Sequence, residues 1–186
     1  MRYLAMFLVL MTLPAFSTEK DNTVSASSML SQTAGRWQGE LQYRDYQSNT
    51  WQGLPMSVAI IAQPDEVTTV RTAQFDDGPQ TGIVTITTVT LVDPVASALS
   101  YAMFRRGRPT DVGLSRIVDV AQGADTSHWT IVTVETRKDG DEVAHVRETT
   151  TRDGDLLTTL KEVKPANDNK EVWLPRNRSV LRRTGS

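Results

Sequence analysis

The sequence predicts an all-β fold, an antiparallel up-and-down β-barrel of about eight to ten strands with at most a short N-terminal helical turn. Three observations predict it. The run 36–44 alternates without a break. Trp37, Gly39, Leu41 and Tyr43 fall on one side, and Arg36, Gln38, Glu40, Gln42 and Arg44 on the other. Successive strand side chains point to opposite faces, so this is a strand with one dry and one wet side. The remainder repeats short alternating segments parted by Gly, Pro, Asn and Asp. Finally, Asp139-Gly140-Asp141 and Asp153-Gly154-Asp155 join neighbouring segments, and Asp-Gly between such segments is the strongest short-range hairpin signal. No connection is long enough for a Greek-key crossover, which favours a closed meander.

Residues 1–17 stand outside that pattern. Arg2 supplies a positive end, 3–13 is apolar except for Thr12, and Pro14-Ala15-Phe16-Ser17 adds a helix breaker and small residues. This reads as a secretory signal peptide cleaved after Ser17. The apolar stretch is shorter than the roughly 20 residues of a membrane-spanning helix. The chain has no cysteine, so neither a lipoprotein-type lipid anchor nor a disulfide is available, and burial and hydrogen bonding must hold the secreted chain together. The expected location is the periplasm. With 22 acidic against 20 basic residues, no broad field favours nucleic acid or an anionic membrane.

Residues 18–34 read as a polar leader, with one serine-capped helical turn over 27–32. Residues 35–186 form the barrel domain. Its first strand runs from Gly35 to about Asp45, followed by a polar loop over 47–50. Residues 54–63 alternate, Pro64-Asp65 turns the chain, and 67–75 alternate again until Asp76-Asp77-Gly78-Pro79. The run 82–92 is dense in β-branched residues, which favour strands, and Asp93-Pro94 ends it. Residues 95–99 tolerate a helical turn before a strand over 100–106. Strands are expected over 110–120, 128–138, 142–152, 156–164 and 172–182, with type I′ turns at the Asp-Gly steps and a bend or edge at Pro175.

Gly35-x-Trp37, following a helical turn, resembles the G-x-W signature of the lipocalin and wider calycin superfamily. The resemblance implies that Trp37 closes one end of the barrel and that an arginine of the last strand stacks across it. Arg182 or Arg183 would fill that role, with Arg178 behind them. Gly35, Trp37 and Arg182 are therefore the expected closing residues. The sequence departs from the family in lacking the disulfide of many secreted lipocalins and the family's other short motifs. Residues 39–48 also resemble uncharacterised bacterial secreted calycin-like proteins, a likeness that implies no activity.

Candidate chemistry is sparse. The two histidines, His128 and His145, lack partners at ligand spacing, and an axial haem role for His145 would rest on fold analogy alone. The Asp-Gly-Asp steps and Asn167-Asp168-Asn169 miss the spaced calcium-loop pattern and read as turns. No metal or cofactor is expected. Asp111, Asp119, Glu135, Glu148 and Glu162 lie in strands with nothing in their spacing to pair them. Ser57, Ser100 and Ser115 lack a nucleophile-elbow context. No enzyme is expected.

Arg71 and Arg116 sit on the more apolar side of their strands. A charge facing a barrel interior must be paired or meet a ligand. Either the sidedness is the reverse, or Glu148 or Glu135 forms an internal salt bridge, or an anionic head group binds there. Arg105-Arg106-Gly107-Arg108 reads as a solvated hairpin tip, with docking to an acidic partner as the lesser reading. The first expectation for function is binding of a small, partly apolar ligand, lined by Leu41, Tyr43, Met56, Phe75, Tyr101 and Trp129, with Arg71 or Arg116 as anchor. The alternatives are an envelope scaffold or protein-interaction module whose barrel is filled by its own side chains, and an enzyme of unknown type.

Overall fold

A computed structural model describes residues 25–139, 142–167 and 172–185. The signal peptide, residues 18–24 of the leader, the Gly140-Asp141 tip and Asp168-Asn169 lie outside the described residues. Helix α1 (Ala26–Ser31) is followed by ten strands: β1 (Gly35–Asp45), β2 (Thr50–Ala62), β3 (Thr68–Asp76), β4 (Ile83–Asp93), β5 (Ala98–Arg105), β6 (Asp111–Gln122), β7 (His128–Asp139), β8 (Glu142–Asp153), β9 (Leu156–Pro165) and β10 (Leu174–Gly185). Each pairs antiparallel with its sequence neighbours, and β1 pairs with β10 to close the ring. The up-and-down barrel expected from the alternation is the fold observed.

Aspartates make many of the turns. Asp45, Asp65 and Asp93 each accept backbone N–H groups two and three residues onward, which fixes a bend without help from the ladder. The Asp93 carboxylate explains one departure from expectation. It captures the N–H groups of Val95 and Ala96, Ser97 turns to φ +48°, and β5 begins at Ala98, so 94–97 forms a tight turn, 98–99 are strand, and no helix forms. At Asp153-Gly154-Asp155 only Gly154 has positive φ (+60°), the pattern of a II′ rather than a I′ turn. Pro175 lies at a register shift between Pro175 and Asn177, so the missing N–H is absorbed by a bulge in a closed sheet.

The inward faces form a gradient along the axis. At the end covered by α1, Met29, Trp37, Val58, Ile60, Ala73, Trp129, Ile131, Leu157 and Leu181 are buried in one cluster. Further along, inward positions carry Thr88, Thr133, Thr150 and Thr159, all half-buried. Towards the other end they carry Tyr43, Tyr101, Glu135, Arg137 and Lys161. Two indoles sit on the outer wall instead. Trp51 lies between Arg44 and Arg178, with ring centroids 5.3 and 4.4 Å from the guanidinium carbons. Trp173 lies between Arg147 and Lys164. Arg178 is thereby occupied outside the barrel.

Candidate ligand site in the barrel

The floor is built first. Ser25 caps α1 by accepting from the Ser28 N–H, and Met29 and Leu30 turn into the barrel end. The indole Nε1 of Trp37 donates to the Thr33 carbonyl at 2.8 Å. Arg183 covers the Trp37 ring, 4.4 Å from its centroid, and its Nη1 and Nη2 donate to the carbonyls of Ala34 (2.7 Å) and Gln32 (3.1 Å). Arg152 Nη1 donates to the same Gln32 carbonyl at 3.0 Å. Two guanidiniums thus bind the carbonyl end of the helix, where partial negative charge collects. The closing arginine is Arg183, not Arg182. Leu181 and Arg183 share the inward parity of β10, whereas Arg182 is exposed on the outer face.

Above the floor stands Arg71. It shares parity with buried Ala73 and Phe75 and pairs across the ladder with buried Ile60. Burial lowers its pKa from the ordinary arginine value, opposed by attraction to Glu148. Glu148 is on β8, half-way round the ring of ten strands from β3, and shares the inward parity of buried Val146. Glu148 is exposed, and it attracts the Arg71 guanidinium from the opposite wall without forming an ion pair with it. Among the described residues no hydrogen bond or ion pair reaches the Arg71 guanidinium.

Towards the other end side chains bond one another, although Arg137 Nε is left without an acceptor among the described residues. Arg137 Nη1 donates to Tyr101 Oη at 2.6 Å and lies 3.3 Å from Asp111 and 3.4 Å from Glu135, and Tyr101 Oη donates to Glu135 at 3.1 Å. Burial, with Glu135 alongside, pushes the Tyr101 phenol up to about 12. Burial also raises Glu135, against the pull of Arg137. The Tyr101 ring lies flat on β6, where a Cβ at Gly113 would come within 2.5 Å of it. Across the mouth, Asp139 accepts from Arg176 Nε at 3.2 Å, in a cleft of about 220 Å3 shared with Tyr43, Tyr46 and Lys161. Although burial opposes it, that bond helps hold the Asp139 carboxyl below its usual range.

The residues picked from sequence therefore separate into groups. Met56, Phe75 and Trp129 are fully packed into the core, with Leu41 against it. Tyr43 and Tyr101 face the polar half. Arg116 lies on the outer face with Val112 and Leu114, because Ser115 and Ile117 are the inward residues of β6. The apolar parity of that strand is its wet side, so of the two arginines expected to face inward only Arg71 does so. Residues 106–108 are exposed at a hairpin tip. His145 Nδ1 lies 2.9 Å from Thr136 Oγ1 on the outer wall, and His128 sits between Asp125 and Asp153 at the floor end. Lys161 and the Glu135–Arg137 pair were not singled out together. Their parity with Trp129, Ile131, Leu157 and Val163 was the available signal.

No family model matches the chain, and no curated protein sequence matches it. The likeness that the structure supports is one of architecture, a closed antiparallel calycin-like barrel with its indole at the floor.

Proposed function

We propose that this barrel is a secreted, periplasmic, non-catalytic binding protein for a small amphipathic molecule with an anionic head group. The head group would meet Arg71, and the apolar part would lie towards Leu41 and the floor. One observation supports the reading, the half-buried, inward-facing guanidinium of Arg71, which burial makes costlier to keep charged and which has no hydrogen-bond or ion-pair partner among the described residues. A desolvated cation without a partner is costly, and a carboxylate or phosphate answers it with two parallel hydrogen bonds. The strand number supports the same reading. Barrel diameter grows with strand count, and eight strands already give a bore that either fills with side chains or holds one small ligand. This barrel has ten.

A second reading draws on the mouth, where Tyr101, Asp111, Glu135 and Arg137 satisfy one another. A barrel filled in this way would serve as a scaffold or protein-interaction module. Native mass spectrometry of protein purified from its own host separates the two. A retained small anion, lost in Arg71→Gln, supports the first. An empty barrel that co-purifies with an envelope protein supports the second and removes the first.

A further inference from the structure

The wall of the barrel is not sealed all the way round. The ladder between β6 and β7 runs from Arg116↔Val134 to Gln122↔Trp129 and stops there. Yet β6 begins at Asp111 and β7 continues to Asp139. Among the described residues, 111–115 pair only with β5, and 135–139 only with β8. Each stretch therefore turns a row of backbone N–H and C=O groups towards a cleft of about 260 Å3. Its inner lining includes Tyr101, Asp111, Glu135 and Arg137, and its outer lining Val112 and Leu114.

Charged side chains facing inward are one way proteins protect an unpaired strand edge, and Arg137 does bridge the seam to Asp111 and Tyr101. The backbone rows remain unpaired all the same. We propose that the seam between β6 and β7 receives an extended segment of a partner protein as an added strand, with apolar and basic residues alternating along it. Added strands bind chiefly through main-chain hydrogen bonds, and the unpaired edges supply those groups. Alternate side chains of such a segment point outward, onto a wall where Val112 is 69% exposed, Leu114 62% and Phe104 47%. The others point inward, where the carboxylates of Asp111 and Glu135 flank one guanidinium, Arg137, at the seam itself, with Lys161 acting on Glu135 from β9. Those two carboxylates favour lysine or arginine at the inward positions. Arg137 also keeps a buried Nε–H with no acceptor among the described residues, a donor that a peptide carbonyl would satisfy. The proposal does not depend on what occupies the interior of the barrel.

The probe is an acetylated, amidated peptide of about nine residues that alternates valine and lysine, enough for one strand and its flanks. Hydrogen–deuterium exchange of the full chain and fluorescence anisotropy are the readouts. In the free protein the unpaired amides of 111–115 and 135–139 should exchange about a hundredfold faster than those of 129–134. The peptide should slow them by about tenfold or more. N-methylation of its alternate amides, which removes donors and keeps every side chain, should weaken binding by about tenfold. Leu114→Glu, an exposed change that spares the fold, should weaken binding by a similar factor. Three results overturn the proposal. The first is that the two stretches are as protected in the free protein as 129–134, and the second is that the N-methylated peptide binds equally well. The third is that protection appears only as the free protein dimerises in sedimentation experiments, which assigns the seam to a second copy of the chain.

Discussion

The guanidinium of Arg183 lies over the indole of Trp37, 4.4 Å from the ring centroid, while its neighbour Arg182 points into solvent. Adjacent residues of one strand thus have opposite fates. Arg183 also binds the carbonyls of Gln32 and Ala34, so its removal strips two acceptors of a charged donor as well as uncovering the ring. Arg183→Ala should lower unfolding stability by about 1–3 kcal/mol, and Arg182→Ala by no more than about 0.5 kcal/mol. Urea denaturation of the two variants side by side measures the contrast. Equal losses would remove Arg183 from the closing role.

Two buried indoles give a second contrast. Trp37 Nε1 has its carbonyl at 2.8 Å, whereas Trp129 Nε1 is buried with no partner among the described residues. Replacing a satisfied donor orphans the acceptor, while replacing an orphaned donor removes a desolvation penalty and loses some packing. Trp129→Phe should therefore stay within about 1 kcal/mol of wild type, and Trp37→Phe should lose about 2–3 kcal/mol. Thermal or urea unfolding checks the ordering, and a Trp129→Phe loss as large as that of Trp37→Phe would contradict it.

How much of this was legible beforehand follows from what parity can and cannot say. The barrel, its strands and the indole at its floor were readable because turn chemistry and alternation are local properties of the chain. Sidedness was harder. In β6 the more apolar parity, Val112, Leu114 and Arg116, faces solvent, and the inward parity begins Asp111, Gly113, Ser115. A wall whose interior is polar reverses the usual inference from hydrophobicity, so Arg116 was read as an inward charge. Arg182 and Arg183 could not be separated for a related reason. Only the register of β10, shifted at Pro175, decides which of two adjacent residues points at Trp37. The confrontation of Arg71 with Glu148 joins strands on opposite sides of the ring, and no sequence spacing encodes that meeting.

Tyr101 supplies a pH dependence with a definite sign. Its phenol is held at about 12 in the folded protein, against the ordinary value of 10. The folded state therefore keeps a proton that the unfolded chain releases, and stability falls as pH rises from 10 towards 12. Alkaline unfolding should begin within that window, and Tyr101→Phe should flatten the slope there. Ultraviolet titration of tyrosinate absorbance gives a second readout, since the latest-ionising phenol should be missing from the variant. A Tyr101→Phe protein with an unchanged alkaline slope would leave the phenol without the assigned role.

Arg71 allows a sharper test because stability and binding should move in opposite directions. Its guanidinium is half-buried, burial disfavours its charge, and among the described residues it has no hydrogen-bond or ion-pair partner, the one attraction resolved for it being that of Glu148. In the empty barrel such a cation is a net cost, and a long apolar side chain of similar reach removes the cost while filling much of the volume. Arg71→Met should therefore raise the stability of ligand-free protein by roughly 1–3 kcal/mol. Glu148 then loses its distant counter-charge, but it keeps exposed surface, so its own penalty stays small. The same substitution should abolish retention of an anionic guest, the trade expected when a destabilising residue is kept for binding. Urea midpoints of ligand-free protein and native mass spectra of the two forms measure both halves. A variant less stable than wild type would mean that Arg71 supports the wall, and the case for a guest at that position would go with it.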